Sequence, residues 1–248
     1  MSSPDAARRA EIAARLDAVR ARIAAACARA GRRADEVELV AVSKFHPAAD
    51  VLHLVALGQR VFGESRDQEA APKAAQVAAA LSDASSETRP EWHFIGQLQT
   101  NKANSVVSYA DVVESVDRLP LVAALTRAAT RAERTVRVLV QVNLDPAAER
   151  GGSARGGAHP DEIARIADAV AESGPLALGG LMAVAPLGVP PEPSFERLAA
   201  LAAQLRGAHP EAVSLSAGMS ADLEAAVAAG ATHVRIGSAL LGERPLLR

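Results

Sequence analysis

The sequence predicts an α/β fold, a single (β/α)8 barrel of the TIM type, and three observations lead to that prediction. Eight short runs rich in β-branched and other apolar residues alternate with helical segments along the chain. The first run, residues 37–44, is apolar on both faces, as strands buried in a parallel sheet are. The length of 248 residues also fits one barrel. A doubly wound open sheet is the alternative, because the number of strands alone does not show that a sheet closes.

A helix precedes the first strand and stands outside the strand–helix repeat. Residues 3–5 read Ser-Pro-Asp, which suits an N-cap, a first helical position and an acidic first turn. Apolar residues then recur on one stripe of an amphipathic helix: Ile12, Leu16, Val19 and Ile23. Gly31 is placed to end this helix. We expect residues 1–31 to pack on the flank of the barrel or to close one end, within one domain spanning residues 1–248.

The remaining elements follow in order. The predicted strands are 37–44, 60–64, 92–96, 112–116, 136–143, 178–184, 213–216 and 233–237. The predicted helices between them are 47–58, 69–81, 102–109, 119–133, 161–172, 195–206 and 221–229, and a further helix opens after the last strand. Pro47 stops the first strand because it has no N–H to donate, and Gly230 ends the helix before the last strand.

The lengths of the connections indicate which end of the barrel is functional. Connections from helix to strand are mostly short, whereas the segments after the fifth and sixth strands, 145–160 and 185–193, are long and irregular. Long loops inside a compact domain usually cover a site, so the carboxyl ends of the strands are the predicted functional end. Residues 82–90 form a long polar segment at the opposite end, which we interpret as a tolerated insertion.

Composition and charge exclude several classes of function. The net charge of −2 gives no electrostatic reason to expect nucleic acid or an anionic membrane as a partner. Cys27 is the only cysteine, which rules out a disulfide within the chain and a zinc site built on cysteines. The N-terminus lacks the features of a signal peptide, and no stretch of about 18 uninterrupted apolar residues occurs. We therefore expect a cytoplasmic protein.

Lys44 stands at the carboxyl tip of the first strand, where α/β folds place their ligand sites. An amine held in an apolar mouth loses hydration, which favours its neutral form and makes it a competent nucleophile toward an aldehyde. The alternative is a solvated lysine that merely follows a strand, and position alone does not separate the two.

Glycine and hydroxyl groups occur together after the seventh and eighth strands. The seventh strand is followed by Gly218 and Ser220, and the eighth by Gly237 and Ser238. Glycine lets the backbone approach an anion, while helix N–H groups and serine hydroxyls donate to it. Because barrels frequently hold phosphate between these two loops, we predict a phosphate site there. Arg235 is placed to pair with an acid or with the phosphate. The alternative for Ser220 is that it only caps its helix.

A lysine on the first strand that faces a phosphate site at the last two strands suits pyridoxal 5′-phosphate. The aldehyde of this cofactor would form an imine with Lys44, while its phosphate would lie across the seam where the barrel closes.

Seven groups of residues form more specific motifs. They are Ala41-Val42-Ser43-Lys44, Phe62-Gly63-Glu64, Trp92-His93-Phe94-Ile95-Gly96 continuing to Gln99-Thr100-Asn101-Lys102, Gln141-Val142-Asn143, Gly180-Leu181-Met182-Ala183, Ser216-Ala217-Gly218-Met219-Ser220 and Arg235-Ile236-Gly237. In this order, from about Val37 to Gly242, they resemble the pyridoxal phosphate homeostasis protein family, which is similar to the alanine racemase N-terminal domain.

The resemblance implies a single barrel that holds pyridoxal 5′-phosphate as an internal aldimine of Lys44. It implies phosphate contacts from Ser220, Arg235, Gly237 and Ser238. The matching motifs extend the cofactor site to Asn143, Met182, Ser216, Gly218 and Met219. The family's role implies cofactor and amino-acid homeostasis without an established catalytic turnover, with no catalytic residue and no metal. It implies apo forms of pyridoxal phosphate enzymes as possible recipients, and the absence of the second domain of alanine racemase favours a monomer.

Three departures from the family pattern stand out. Ser65 replaces the usual asparagine after Gly-Glu, the turn after the fifth strand reads Arg150-Gly151-Gly152, and Ala217 replaces a methionine in the phosphate loop. The first puts one polar contact near the cofactor ring in doubt, and none removes the imine or the phosphate site.

Two enzymatic functions are the alternatives. A racemase or lyase acting on amino acids needs a second acid/base group that faces the cofactor. We expect Tyr109 at the wrong end of the barrel, and His93 and His233 packed or hydrogen-bonded away from the mouth. His46 and Glu64 remain, together with Asn101 and Lys102, which could reach the mouth or only start a helix. Glu64 is either an acid at the mouth or the partner of a nearby base. The other alternative is an aldolase that uses Lys44 on a phosphosugar without any cofactor.

Overall fold

The alternation of apolar strands and helices produces a closed barrel of eight parallel strands in chain order, β1 to β8. The computed structural model describes residues 4–82, 89–145 and 156–243. The strands are β1 (Glu38–Val42), β2 (Val61–Glu64), β3 (Glu91–Phe94), β4 (Val112–Val116), β5 (Val136–Val142), β6 (Leu176–Ala183), β7 (Ser214–Ser216) and β8 (His233–Ile236). Closure confirms the predicted (β/α)8 barrel and excludes the open doubly wound sheet.

Helices follow the strands on the outside of the barrel. In the described part of the chain they are α1 (Pro4–Arg29), α2 (Ala48–Ala56), α3 (Asp67–Ala80), α4 (Ala103–Tyr109), α5 (Leu119–Ala132), α6 (Ile163–Ala171), α7 (Glu192–Ala208), α8 (Leu223–Ala228) and α9 (Ser238–Leu241). Short 3-10 turns precede β1, α4 and α6. None of the helices in these ranges is long and apolar enough to cross a membrane.

The seam of the barrel joins the first strand to the last. Glu38 of β1 is in register with His233 of β8, and Ala41 is in register with Ile236. Because the strands are parallel, the carboxyl ends of β1 and β8 meet at the same rim. Residues that follow Val42 and residues that follow Ile236 are therefore brought together, although they are far apart in the sequence.

Alternation along β1 fixes which side chains face inward. A side chain at Gly63 would meet Val40, Val42 and Ile95, so these residues lie on the inner face of the barrel. The residues between them on β1, such as Ala41, pack in the layer beneath the helices. A residue two positions after Val42 thus continues the inward-facing row.

The N-terminal helix α1 packs on the flank of the barrel, against α2, α8 and α9. The predicted apolar stripe is buried there; Ile12 and Leu16, for example, are at most 1% exposed. Gly31 follows the helix with φ of 67°, a left-handed conformation that glycine adopts without strain. The prediction allows the helix to pack on the flank of the barrel or to close one end. The structure shows it on the flank.

Some boundaries differ from the prediction for local physical reasons. The helix after β7 begins at Leu223 rather than at 221, because residues 219–222 form a turn in which the Met219 amide donates to the Asp222 carboxylate over 2.6 Å. This turn also shows that Ser220 is not the cap of α8. The Arg150-Gly151-Gly152 departure and most of the segments 82–90 and 145–160 lie outside the described residues.

Candidate functional site

A cavity of about 330 Å³ opens at the carboxyl ends of β1, β7 and β8. Its volume lies at the lower end of the range usual for small-molecule sites. It is lined by Val42, Lys44, Phe45, His46, Ile95, Met219, Ser220, Ala221, Arg235, Gly237, Ser238 and Gly242. We call residues 218–220 after β7 and 237–238 after β8 the anion loops, since they are the predicted phosphate site. Lys44 and residues of both anion loops line this one cavity.

The chain turns sharply just after Lys44. Phe45 has φ of 68°, which is uncommon for a residue other than glycine and stores backbone strain. The turn is held from α3, because the Phe45 amide donates to the Glu69 carboxylate over 3.2 Å and Arg66 lies over the Phe45 ring at 5.6 Å. Strain of this kind persists where the surroundings enforce it, and here it ends the strand at the residue that enters the cavity.

A buried polar cluster braces the strand tip from outside the barrel. The Ser43 hydroxyl donates to Glu64 over 2.8 Å, and the Lys73 amine donates to Glu64 over 2.5 Å and to the Ser43 carbonyl over 2.7 Å. Burial raises the pKa of Glu64, while the Lys73 charge opposes that shift. The sequence predicts Glu64 to be either an acid at the mouth or the partner of a nearby base. In the structure it is the partner of Lys73.

The complete sequence contains three lysines, Lys44, Lys73 and Lys102. The Lys73 amine is buried behind the strand, bonded to Glu64. The Lys102 amine lies 3.8 Å from the Asp67 carboxylate and lines a neighbouring pocket at the rim. Lys44 is the lysine that lines the cavity containing the anion loops.

The two loops have the shape that a close backbone approach requires. Gly218 has φ of 91°, and a side chain there would lie 2.6 Å from the Ala226 methyl group, so only glycine fits. At Gly237 a side chain would lie 3.4 Å from Val42 and would project into the space beside the first strand. Ser220 and Ser238, two residues with hydroxyl groups, line the same cavity. Glycines, hydroxyls and an amine around one space are the donor set that a phosphorylated aldehyde needs.

Arg235 points its guanidinium into the barrel interior, beneath the cavity. Its Nη1 donates to the Ser216 hydroxyl over 2.7 Å, and Nη2 donates to the Ala183 carbonyl over 2.8 Å. The Ser216 hydroxyl in turn donates to Glu114 over 2.6 Å, and the other oxygen of Glu114 lies 2.6 Å from Nδ1 of His93. Arg235 thus connects the cavity floor to a chain of buried charges.

The buried charges stabilise one another. Burial by itself would raise the pKa of Glu114, but the hydrogen bond from His93 and the charges of His93 and Arg235 outweigh it and hold that pKa at about 2. Burial would lower the pKa of His93, but hydrogen bonds to Glu114 and Glu91 raise it to about 9. Burial lowers the pKa of His233 to about 4. His93 is therefore a buried cation at neutral pH, and His233 is neutral.

These pKa values predict how stability depends on pH. The pKa of His93 is about 9 in the folded chain against an ordinary 6.5, so its contribution is fully present below pH 6.5 and is lost as pH rises through 9. We expect the free energy of unfolding to fall by about 3 kcal/mol over that window. On the acid side, the lowered pKa values of His233 and Glu114 remove stability as pH falls from 6.5 toward 2.

Denaturant unfolding measured from pH 6 to pH 9.5 checks this expectation, with His93→Gln as the control that removes the titrating group. The wild-type chain should lose stability steeply above pH 7, and the variant should have a flatter profile over the same range. Parallel profiles for the two proteins would contradict the assignment of the charge to His93.

Six of the ten predicted cofactor residues line the cavity: Lys44, Met219, Ser220, Arg235, Gly237 and Ser238. The other four are not in its lining. Ser216 is in the buried network and Gly218 packs against α8. Met182 packs inside the barrel with Val112 and Leu139. The side-chain oxygen Oδ1 of Asn143 accepts a hydrogen bond from the backbone amide of Asp145. Direct contact of these residues with a ligand stays a prediction, as does the phosphate contact of Arg235.

Of the histidines and the tyrosine considered as acid/base groups for a racemase or lyase, His46 lines the cavity and the others do not. His93 is hydrogen-bonded inside the barrel and His233 lies 2.7 Å from the Thr232 hydroxyl, as expected from their early positions in the strands. Tyr109 ends α4, outside the lining of the cavity. His46 lines the cavity, with Nδ1 3.4 Å from the Asp50 carboxylate. His46 is thus the acid/base candidate that shares the cavity lining with Lys44.

Sequence reasoning missed the interior network. Glu114 stands in the middle of the apolar strand β4, and a charged residue in such a position requires a buried partner. That signal was available, but the partners His93, Ser216 and Arg235 come from three other strands. Their convergence depends on which residues of each strand face inward.

Comparisons with known proteins identify the family of this chain. A family model described as alanine racemase, N-terminal domain, matches residues 14–245. The pyridoxal phosphate homeostasis protein of Mycobacterium leprae (strain TN) is 44% identical over 245 residues, which cover 95% of this chain and 93% of the relative. The protein of the same name from Escherichia coli (strain K12) is 37% identical over 241 residues, covering 94% and 97%.

A solved structure also matches the fold. PipY of Synechococcus elongatus PCC7942, determined with pyridoxal phosphate bound, has a TM-score of 0.77 and 34% identity, and the match covers 93% of this chain and all of that one (100%). The resemblance predicted from the motifs is confirmed by these matches over nearly the full length. The chain belongs to the pyridoxal phosphate homeostasis protein family, whose barrel is that of the alanine racemase N-terminal domain.

Proposed function

We propose that this protein binds pyridoxal 5′-phosphate reversibly through the amine of Lys44 and takes part in cofactor and amino-acid homeostasis. The observation that carries the proposal is the shared cavity, in which Lys44 and the serines of both anion loops, Ser220 and Ser238, lie around one space. The name of the relatives and the pyridoxal phosphate bound to PipY support the choice of ligand.

The residues divide the work of binding between two ends of the ligand. Ser220, Gly237 and Ser238, which line the cavity with Met219, would hold the phosphate, because serine hydroxyls can donate and glycine permits close approach of the backbone. Lys44 approaches from β1, which is hydrogen-bonded to β8 at the seam. When bound, the cofactor supplies an aldehyde that accepts a primary amine, and Lys44 is the amine in place.

A carrier role is supported by the positions of the acid/base candidates in the described part of the chain. Glu64 lies outside the barrel with Lys73, and His93 is committed to Glu114. His46 remains in the lining, which makes a racemase or lyase the second candidate. Sustained turnover of an amino acid that is lost in His46→Gln would favour the enzyme, and exchange of cofactor without turnover would favour the carrier.

Reductive trapping tests the proposal. Purified protein incubated with pyridoxal 5′-phosphate should develop a visible absorption band that borohydride discharges, and peptide mass mapping should place the reduced pyridoxyl group on Lys44. Failure to bind pyridoxal 5′-phosphate, combined with trapping of a ketose phosphate on Lys44, would indicate the aldolase instead.

The physiological part of the proposal concerns delivery. We propose that apo forms of pyridoxal phosphate enzymes receive the cofactor, that the protein works in the cytoplasm and that it acts as a monomer. Mixing the loaded protein with an apo-enzyme and following the gain of that enzyme's activity tests delivery. Light scattering of the purified protein tests the oligomeric state.

A further inference from the structure

The N-terminal helix α1 is attached to the elements that follow β1, β7 and β8, which are the strands whose ends form the cavity. Arg8 and Arg22 make these attachments, from opposite halves of the helix. Neither arginine lines the cavity. The apolar stripe of the helix accounts for its packing on the flank of the barrel, whereas the two arginines bond to elements that border the cavity.

Arg22 holds the loop after β7. Its Nη1 donates to the Ser220 carbonyl over 2.7 Å, and its Nε and Nη2 each lie 2.6 Å from an oxygen of Glu224 on α8. In a trans peptide the C=O and the next N–H point in opposite directions, and the described chain contains no cis peptide. Arg22 therefore turns the N–H of Ala221 away from α1, and Ala221 lines the cavity.

Arg8 holds the elements after β8 and β1 at the same time. Its Nη2 donates to the Leu241 carbonyl at the end of α9 over 2.9 Å. Its Nε and Nη2 also donate to the two oxygens of Asp50 on α2, over 3.1 Å and 2.7 Å. α9 begins at Ser238 in the cavity, so fixing its far end fixes the direction in which it leaves Gly237.

We propose that Arg8 and Arg22 are positioning residues that hold the two anion loops in binding geometry, so that α1 sets the affinity for the phosphate of the ligand. This inference rests on the proposed function, since it assumes that the loops after β7 and β8 bind the phosphate. It assigns Arg22 an effect on the phosphate end of the ligand and none on the amine chemistry of Lys44. Arg8 also holds Asp50, which lies 3.4 Å from His46 in the cavity lining, so its effect is not confined to the phosphate end.

A matched control comes from the same helix region. Arg32 follows α1 and donates to the carbonyls of Val227 and Ala231 over 2.9 Å and 2.8 Å. It thus makes the same kind of attachment, arginine to backbone carbonyl, but at the far end of α8. Arg32→Met should loosen the docking of the helix without touching either anion loop.

The test compares pyridoxal 5′-phosphate with pyridoxal, which has the same aldehyde and no phosphate. Arg22→Met should weaken binding of pyridoxal 5′-phosphate about tenfold, mainly through faster dissociation, because a charge-assisted bond to the loop is lost. The dissociation constant for pyridoxal should stay within about twofold. Arg32→Met should leave the ratio of the two constants as in the wild type, even if its melting temperature falls.

Equal weakening of both ligands by Arg22→Met, or an equal change of the ratio in Arg32→Met, would overturn the inference. If Arg22→Met does not fold, Arg22→Lys serves in its place, because lysine cannot donate to Ser220 and Glu224 in the same forked geometry; an unchanged ratio there would also overturn it. Arg8→Lys tests the α9 side, where weaker binding of pyridoxal 5′-phosphate is expected and unchanged binding would overturn the role of Arg8. A wild-type protein that binds neither ligand would instead refute the proposed function.

Discussion

Lys44→Ala is expected to abolish the visible absorption band and the borohydride-trapped adduct. The reason is that the other two lysines of the sequence are held elsewhere, Lys73 on Glu64 behind the strand and Lys102 near Asp67 at the rim. With its own amine gone, the cavity keeps the hydroxyl and backbone donors of the anion loops. The variant should therefore retain weak, non-covalent affinity for the phosphorylated ligand while losing the covalent link completely.

Absorption spectroscopy with mass mapping after reduction measures both effects. Lys102→Ala is the control, because Lys102 is a lysine at the same end of the barrel that does not line the cavity. It should keep the full band. An adduct in Lys44→Ala that maps to Lys73 or Lys102 would show that the amine was misassigned.

Glu114→Ala is expected to lower the free energy of unfolding by about 3–5 kcal/mol. Glu114 is fully buried (0% exposed) and receives hydrogen bonds from His93 and Ser216, with Arg235 at 3.7 Å. Truncation leaves the buried cations His93 and Arg235 without their carboxylate. The resulting loss of stability is far larger than the free energy that an exposed ion pair contributes. Ligand affinity should fall as well, because Arg235 loses the partner that fixes it under the cavity.

Chemical denaturation at pH 7 measures the change in stability. Glu91→Gln is the matched control, since Glu91 also contacts His93, at 3.2 Å, but is itself 41% exposed and should cost less than about 1 kcal/mol. Glu114→Gln should fall between the two, because the amide keeps the shape and some of the hydrogen bonds. Equal losses in Glu114→Ala and Glu91→Gln would contradict the importance of the buried network.

The order of the elements and half of the site could be predicted because they depend on local signals. Apolar strands, proline and glycine boundaries and the position of Lys44 after β1 are readable residue by residue. Parallel strands then bring their carboxyl ends to one rim, so Lys44, Ser220 and Ser238 converge by topology alone. Some helix boundaries differ from the prediction by a few residues. At α8, for example, the Asp222 side chain accepts the hydrogen bond of the Met219 amide, and the helix begins after it.

The remaining features depend on contacts between distant parts of the chain. Arg8 and Arg22 lie on the polar face of α1, where a sequence shows only charges that water would solvate. Their carbonyl partners have no side-chain signature at all. The direction of the Arg235 guanidinium, toward Ser216 and the barrel interior, likewise depends on a carboxylate supplied by β4. These hydrogen bonds depend on how distant elements pack together in the fold, and no local pattern in the sequence predicts them.

The hydrogen-bonded seam between β1 and β8 also affects how the chain acquires its ligand. Lys44 precedes Ser238 in synthesis, so a nascent chain that lacks the loops after β7 and β8 cannot yet assemble the pocket. Only a completed ring would capture the vitamin, and capture would then favour the native state by mass action. Occupancy would thus report that the pairing of β1 with β8 has formed.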